Sequence, residues 1–303
     1  MSDRNFLLKT KPLLAGKHPV VQLLFLLAAT ILGMVVFSAL ALLIANAAWG
    51  VKVAISPTPH YYRLVQLFSA LGTFLAPALL LSYCNYHDWF SYSKANNLIN
   101  NVYAVTGVII LSVLLLPVIS MLVLLNQQIH LPDCMAAIEE WMHEQQLSND
   151  SVLQVMTAEH TVSTLLLNIG VCALVPAICE EFFFRGSLQN IFCTWFKNKH
   201  IAIWVTAFIF SAIHLQFDGF FARWLLGAYL GYLYVWSGSI WLPILAHFLH
   251  NALSIVLQFF IDVSGIPQPD ATINSGIIIS SLLAAAISGV IIWGTRIKLK
   301  GEK

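Results

Sequence analysis

The stretch VYAVTGVIILSVLLLPVISMLVLLN, residues 102–126, decides the class of fold. It contains no Asp, Glu, Lys, Arg or His, and it exceeds the roughly 20 apolar residues that a helix needs to cross a bilayer. Similar apolar runs recur through the chain, which is 59% hydrophobic and 10% charged. Ordinary soluble domains carry roughly 25% charged residues. We therefore predict an all-α, polytopic integral membrane protein.

The other apolar runs, read outward from this one, predict about eight transmembrane helices. They form a single membrane domain over residues 1–303. The long connection at 127–160 is predicted to carry a short amphipathic helix around AAIEEWMHEQQL, residues 136–147. The predicted spans are 20–48, 64–84, 102–126, 165–195, 200–216, 220–237, 240–261 and 275–295.

The basic residues predict the orientation in the membrane. If the N-terminus is cytoplasmic, all 15 Lys and Arg residues except Lys52, Arg63 and Arg223 fall on the inner side, as the positive-inside rule requires. The 127–160 connection has acidic residues and no Lys or Arg, which suits the outer side. We therefore predict a multi-pass protein of the bacterial inner membrane with both termini cytoplasmic. No basic cluster suits nucleic acid, and the oligomeric state is left open.

Charged residues within apolar runs first appear in PAICEEFFFRG, residues 176–186. Charge in hydrocarbon is costly, so an intramembrane ionisable group indicates a functional site unless it forms a structural ion pair. Glu181 and Arg185 are four apart on a helix and can form such a pair. Glu180 is turned about 100° away from Glu181. We predict a structural role for the pair and a catalytic role for Glu180.

Two further motifs place polar side chains on later spans. Phe210 and His214 are four apart in FIFSAIHL, and His247 and Asn251 are four apart in LPILAHFLHNAL. Taken alone, each motif is more typical of a satisfied core histidine or of helix–helix hydrogen bonding. At 1.5 Å per residue, Glu180, His214 and Asn251 lie roughly 16–21 Å from the inner surface. The sequence thus predicts an intramembrane active-site cavity near mid-membrane, open toward the cytoplasm.

Together the three motifs resemble those of the CAAX-protease and bacteriocin-processing (CPBP, or Abi) family of intramembrane peptidases. The resemblance covers a predicted catalytic core at 165–261 and includes the type II CAAX prenyl endopeptidases. It implies hydrolysis of a peptide bond in a peptide or lipid-anchored protein substrate. The family pattern of E-E-x-x-x-R, F-x-x-x-H and H-x-x-x-N is met in order by Glu180, Glu181, Arg185, Phe210, His214, His247 and Asn251.

The resemblance also implies a role for each motif residue. Glu180 is the expected general base on a water that His214 holds or polarises. His247 and Asn251 are expected to face the developing oxyanion. The supporting residues are Glu181, Arg185 and Phe210.

A metal is the open alternative for this chemistry. The chain lacks the H-E-x-x-H arrangement of many zinc peptidases, and an asparagine is a poorer zinc ligand than oxyanion donor. We therefore predict no obligatory metal. If a divalent metal takes part, zinc bound by Glu180, His214 and His247 is the expected form.

Two other functions compete with proteolysis. A proton- or metal-coupled transporter would also use Glu and His within the membrane, but transporters commonly have two related halves. Here the first three spans carry no ionisable residue in their interiors. A non-catalytic membrane immunity or scaffold protein is the other alternative, and the intact motif set argues against it.

Overall fold

The computed structural model describes residues 11–50, 57–99, 101–264 and 273–301. These residues form helices and no strand, which confirms the predicted all-α membrane fold. Some of the basic residues behind the orientation prediction lie outside the described residues: Arg4, Lys9, Lys52 and Lys303.

The helices of the described residues are numbered here in chain order. Short 3₁₀ turns at Asp133–Met135 and Phe217–Gly219 precede α4 and α7. The helices are α1 (Pro19–Trp49), α2 (Pro59–Tyr86), α3 (Val102–Gln127), α4 (Ala136–Thr157), α5 (Val162–Phe196), α6 (Lys199–Ala212), α7 (Phe220–Ser237), α8 (Trp241–Ser264) and α9 (Ser275–Gly301).

Six helices of the described residues are long and apolar enough to cross a membrane, rather than the eight that the sequence predicts. They are α1, α2, α3, α5, α8 and α9. The predicted span 200–216 corresponds to α6, which has 14 residues and ends at Ala212. At 1.5 Å per residue α6 covers about 21 Å, less than the roughly 30 Å hydrocarbon core. The predicted span 220–237 corresponds to α7. Its polar and aromatic residues, Arg223 among them, lower the mean hydropathy of this helix, so it is not among the six.

Capping residues define several helix ends. The side chains of Asn101, Thr161 and Asn198 accept hydrogen bonds from the first backbone N–H groups of α3, α5 and α6. Such N-caps satisfy amides that have no partner within the helix. Gly238 ends α7 in the left-handed conformation, at φ 69°, where a residue without Cβ is favoured.

In the described residues, three π-helical turns interrupt the long helices. One lies in α2 at Leu71–Leu75, and two lie in α5 at Ile169–Leu174 and Phe184–Leu188. Pro77 and Pro176 follow the first two of these turns within two residues. Proline lacks an N–H and its ring crowds the carbonyl four residues before it, so a locally widened turn lets the helix continue.

Small residues allow close packing between helices. Gly227 and Gly231 lie four residues apart on α7 and face α6. A Cβ on Gly227 would lie 3.1 Å from the Cβ of Ala207, and one on Gly231 would lie 2.9 Å from Cγ2 of Ile203. Either methyl group would push the two helices apart. The glycines therefore fix how deeply α7 packs against α6.

The predicted amphipathic helix in the 127–160 connection is present as α4 and is longer than predicted. It lies across one end of the bundle, which we call the α4 end. Near its C-terminus the carbonyl of Met156 accepts hydrogen bonds from Arg63 Nη2 at 2.7 Å and Asn168 Nδ2 at 3.0 Å. The buried Arg63 also donates to Asn168 Oδ1 at 2.8 Å, so α4 is tied to both α2 and α5.

The opposite end of the bundle, the basic end, carries the loops between α2 and α3, α5 and α6, and α7 and α8. We expect the α4 end to lie outside and the basic end inside the cell. In a chain without native cysteines, Glu144→Cys on α4 and Lys298→Cys on α9 should react with a membrane-impermeant maleimide from opposite sides. Reaction of both from the same side of intact cells would contradict the antiparallel helix arrangement.

Candidate active site

The predicted ion pair on α5 is present and fully buried. Arg185 Nη1 donates to Glu181 Oε1 at 2.6 Å, and neither side chain has exposed surface. Arg185 Nη2 donates to the carbonyl of Gly227 at 3.0 Å, and its guanidinium carbon lies 4.7 Å from the centre of the Phe210 ring. The pair therefore joins α5 to α6 and α7. Gly227, which packs against α6, also supplies a hydrogen-bond acceptor.

Glu181 also orients a histidine of the third motif. His247 Nδ1 lies 2.8 Å from Glu181 Oε1, the same oxygen that accepts from Arg185. A carboxylate can only accept here, so Nδ1 of His247 carries the proton. Its other ring nitrogen, Nε2, then faces Glu180, with Oε2 of that glutamate 3.9 Å away.

His214 also lies next to Oε2 of Glu180, but it comes from a different segment of the chain. It lies beyond the end of α6, where Leu215 adopts a positive φ of 52°, rather than within a helical span. Its Nδ1 donates to the carbonyl of Phe210 at 2.6 Å, so Nε2 is left as the acceptor in the neutral ring. Nε2 lies 3.8 Å from Oε2 of Glu180. The ring of Phe210 packs edge-on against both His214 and His247.

Glu180 lies at the centre of this arrangement. Its side chain is buried, and Oε2 makes no hydrogen bond within the described part of the chain. Two imidazole nitrogens flank that oxygen at 3.8 Å and 3.9 Å. The structure thus separates the two adjacent glutamates, with Glu181 held in an ion pair and Glu180 facing open space.

That open space is a cavity of about 410 Å³. Its wall includes Leu153 of α4 and Gln66 in the half of α2 nearer to α4, so it extends from Glu180 toward the α4 end. The cavity therefore does not extend toward the basic end, where the sequence predicts the opening. The reason is that α6 stops short, and the segment after it wraps around the α4 side of the site. Which of the two ends is cytoplasmic stays a prediction.

Asn251, the last motif residue, lines the cavity together with His247 one helical turn before it. Their spacing on α8 places both on the cavity face, as the sequence predicts. His250 also lines the cavity, although the motif does not include it.

The polar residues of the cavity wall that sequence reasoning missed include Gln216 and Arg223. Arg223 Nη1 donates to the carbonyl of Gln216 at 3.0 Å, and Nη2 donates to Oε1 of the same residue at 2.8 Å. In the orientation prediction, Arg223 is one of the three basic residues on the outer side. The overlooked signal was an arginine within the otherwise uncharged run FFARWLLGAYLGYLYVW, residues 220–236.

The residues named as alternative zinc ligands, Glu180, His214 and His247, do converge. Both imidazoles also donate Nδ1–H to an oxygen, as zinc-bound histidines do. Across the described residues, however, no group of three or more His, Cys, Asp or Glu side chains has the arrangement of a metal site. The geometry present is that of a carboxylate flanked by two histidines.

The comparisons with known proteins bear on this same part of the chain. Residues 162–253, from the start of α5 into α8, match the family described as type II CAAX prenyl endopeptidase Rce1-like. The uncharacterized protein YpbD of Bacillus subtilis (strain 168) is 33% identical over 87 residues, a segment that covers 26% of this chain and 40% of that relative. No solved structure matches. The predicted resemblance to CAAX-type peptidases is therefore confirmed, and the match includes all seven motif residues.

Proposed function

We propose that this integral membrane protein, whose α5–α8 segment is Rce1-like, is an intramembrane endopeptidase in which Glu180 activates a water molecule. The observation that carries the proposal is the position of Glu180 Oε2, 3.8 Å and 3.9 Å from the Nε2 atoms of two histidines inside a cavity. A water molecule between a carboxylate and a neutral imidazole can be both oriented and deprotonated.

The proposed hydrolysis uses Glu180 as the proton carrier and His214 as a hydrogen-bond acceptor for the water. The water donates one proton to Glu180 and the other, as a hydrogen bond, to Nε2 of His214. Its oxygen attacks the peptide carbonyl and forms a tetrahedral oxyanion. Glu180 then passes its proton to the leaving amine nitrogen as the C–N bond breaks. The atoms balance, since the water adds OH to the acyl product and H to the amine.

The oxyanion is stabilised by donors from α8. The side-chain amide of Asn251 donates in its ordinary state. His247 uses Nδ1–H for Glu181, so its Nε2 can donate only when the ring is an imidazolium. Preorganised donors of this kind typically contribute a few kcal/mol to lowering the barrier.

A peptide or a lipid-anchored protein in the bilayer is the substrate class that fits a site within membrane helices. Many large apolar side chains remain exposed along α1, α3 and α9, as is expected of surfaces that contact lipid. We place the protein in the bacterial inner membrane with both termini cytoplasmic. This location rests on the distribution of basic residues.

The proposal is tested with the purified protein and a pool of peptides that carry a farnesylated cysteine followed by three variable residues. Mass spectrometry should detect products cut at one bond position. In parallel, the membrane peptides of cells with the active protein are compared with those of cells lacking it. A transporter or a scaffold protein would leave both peptide sets unchanged.

The metal content follows from the proposed water activation. We expect the purified protein to contain well under one zinc per chain by elemental analysis and to keep cleaving after treatment with a chelator. The reason is that Glu180 and the imidazole of His214 suffice to orient and deprotonate the water. Stoichiometric zinc that is lost together with activity in His214→Ala would instead identify a metallopeptidase with Glu180, His214 and His247 as ligands.

A further inference from the structure

His214 lies outside the helices, in the connection between α6 and α7. This connection, residues 213–219, is called here the His214 segment. It also includes Gln216, so it carries two residues of the cavity wall. A connection is more mobile than the helices that it joins unless other groups hold it. The position of His214 beside Glu180 therefore depends on what fixes this segment.

The backbone of the His214 segment needs support of its own. Leu215, directly after His214, has a φ of 52°. This left-handed conformation is unfavourable for a residue with a Cβ, and it persists only where neighbouring groups hold it. From α4, Asn149 Nδ2 reaches the carbonyl of Leu215 at 3.4 Å, which is long for a hydrogen bond. The stronger contacts come from α3.

Asn126, near the end of α3, holds the His214 segment with both ends of its side-chain amide. Its Nδ2 donates to the carbonyl of Phe217 at 2.9 Å, and its Oδ1 accepts from the backbone N–H of Phe221 at 3.2 Å. The neighbouring Gln127 donates through Nε2 to Oδ2 of Asp218 at 3.2 Å. The side chain of Asn126 thus joins the last turn of the segment to the first turn of α7.

The start of α7 depends on the same asparagine. The residue before α7 is Gly219, which has no side chain that could cap the helix. The first N–H groups of a helix have no partner within it and need an outside acceptor. Oδ1 of Asn126 is such an acceptor, although it lies 95 residues away in sequence from Phe221. Asn126 therefore takes the role of an N-cap residue from another helix.

We propose that Asn126 is a positioning residue of the reaction, which fixes the His214 segment so that Nε2 of His214 stays 3.8 Å from Oε2 of Glu180. This inference rests on the proposed function. It extends the catalytic unit beyond the family match, because α3 lies before residue 162. A misplacement of about 1 Å at a reacting group can cost about 10²-fold in rate.

The test is Asn126→Ala, measured on the best-cleaved peptide of the farnesylated-cysteine pool. We expect kcat per folded protein to fall by roughly 10- to 100-fold. KM should stay nearly unchanged, because Asn126 is not among the residues described as lining the active-site cavity. A role confined to folding would lower the folded yield and leave kcat per folded protein intact. Unchanged kcat would therefore overturn the inference.

Two further variants separate positioning of the segment from disturbance of the helix end. Asn126→Asp keeps the acceptor for the N–H of Phe221 and loses the donor to Phe217, so it should restore part of the lost kcat. Gln128→Ala truncates an exposed residue two positions further along the chain and should cleave like the wild-type protein. A loss of kcat in Gln128→Ala as large as that in Asn126→Ala would assign the effect to the end of α3 in general and overturn the inference.

Hydrogen–deuterium exchange needs no substrate, so it separates failure of this inference from failure of the proposed function. In Asn126→Ala the amide of Phe221 loses its acceptor. Peptides that cover residues 213–221 should then exchange faster, while those of α5 and α8 stay unchanged. Unchanged exchange at 213–221 would overturn the inference whether or not the protein is a peptidase. Faster exchange in a protein that cleaves no peptide would overturn the proposed function and support the hold of Asn126 on the segment.

Discussion

Replacing Glu180 with glutamine is expected to abolish peptide cleavage while leaving the amount of folded protein nearly unchanged. Glutamine keeps the volume of the side chain but cannot accept a proton from water. General-base catalysis typically contributes about 10²- to 10⁴-fold, so a loss of at least about 10²-fold is expected. Glu180 Oε2 has no hydrogen-bond partner among the described residues, so the substitution breaks no bond that holds the fold. Cleavage is measured on the farnesylated-cysteine pool by mass spectrometry.

The matched control for this substitution is Glu144→Gln on α4. Glu144 is exposed. Its replacement removes the same charge at a position away from the cavity, so this variant should cleave like the wild-type protein. Full activity in Glu180→Gln would show that another group is the base. Loss of activity accompanied by loss of folded protein would show that Glu180 is needed for structure.

Replacing Arg185 with alanine is expected to have the largest effect on stability. The substitution leaves the carboxylate of Glu181 fully buried without its guanidinium partner. Breaking a buried ion pair by removing one side costs roughly 3–5 kcal/mol. It also removes the hydrogen bond to the carbonyl of Gly227 that joins α5 to α7. We expect a markedly lower folded yield and a lower unfolding temperature in detergent.

Two further proteins test the cause of this loss. Arg296→Ala removes an arginine from an exposed position and should leave folded yield and unfolding temperature unchanged. The double variant Glu181→Gln, Arg185→Gln leaves no unpaired charge, so it should be more stable than Arg185→Ala. A double variant as unstable as the single one would mean that Arg185 acts through packing against Phe210, not through its charge.

The membrane fold and the glutamate pair could be predicted because both depend on local patterns. Uninterrupted apolar length identifies α1, α2 and α3 without knowledge of neighbours. The pair of Glu181 with Arg185 follows from their spacing of four on one helix. The same spacing places His247 and Asn251 on one face of α8.

The remaining features depend on contacts between distant segments. The partnership of Glu181 with His247 joins residues 66 apart in sequence, and no pattern in either helix indicates it. The end of α6 before His214 depends on the loop that wraps around the site. The apolar pattern alone therefore places His214 within a membrane span. The position of Arg223 in the cavity wall could not be predicted, because the cavity forms only when α7 packs against α5 and α8. The extension of the cavity toward the α4 end depends on the same packing of distant segments.

The π-helical turns of α5 have a consequence for how its two glutamates came to differ. A π turn holds one residue more than an α-helical turn, so it rotates everything beyond it by about 100° about the helix axis. The α-helical segment Val175–Phe183, which carries Glu180 and Glu181, lies between two such turns. The side chains of this segment therefore point in directions that differ from those of a continuous α-helix, while the rest of α5 keeps its own faces toward lipid and neighbouring helices. The rotation of this segment about the helix axis therefore decides that Glu180 faces the cavity and Glu181 faces Arg185. Inserting or deleting one residue in either π turn would change this rotation and the directions of both side chains.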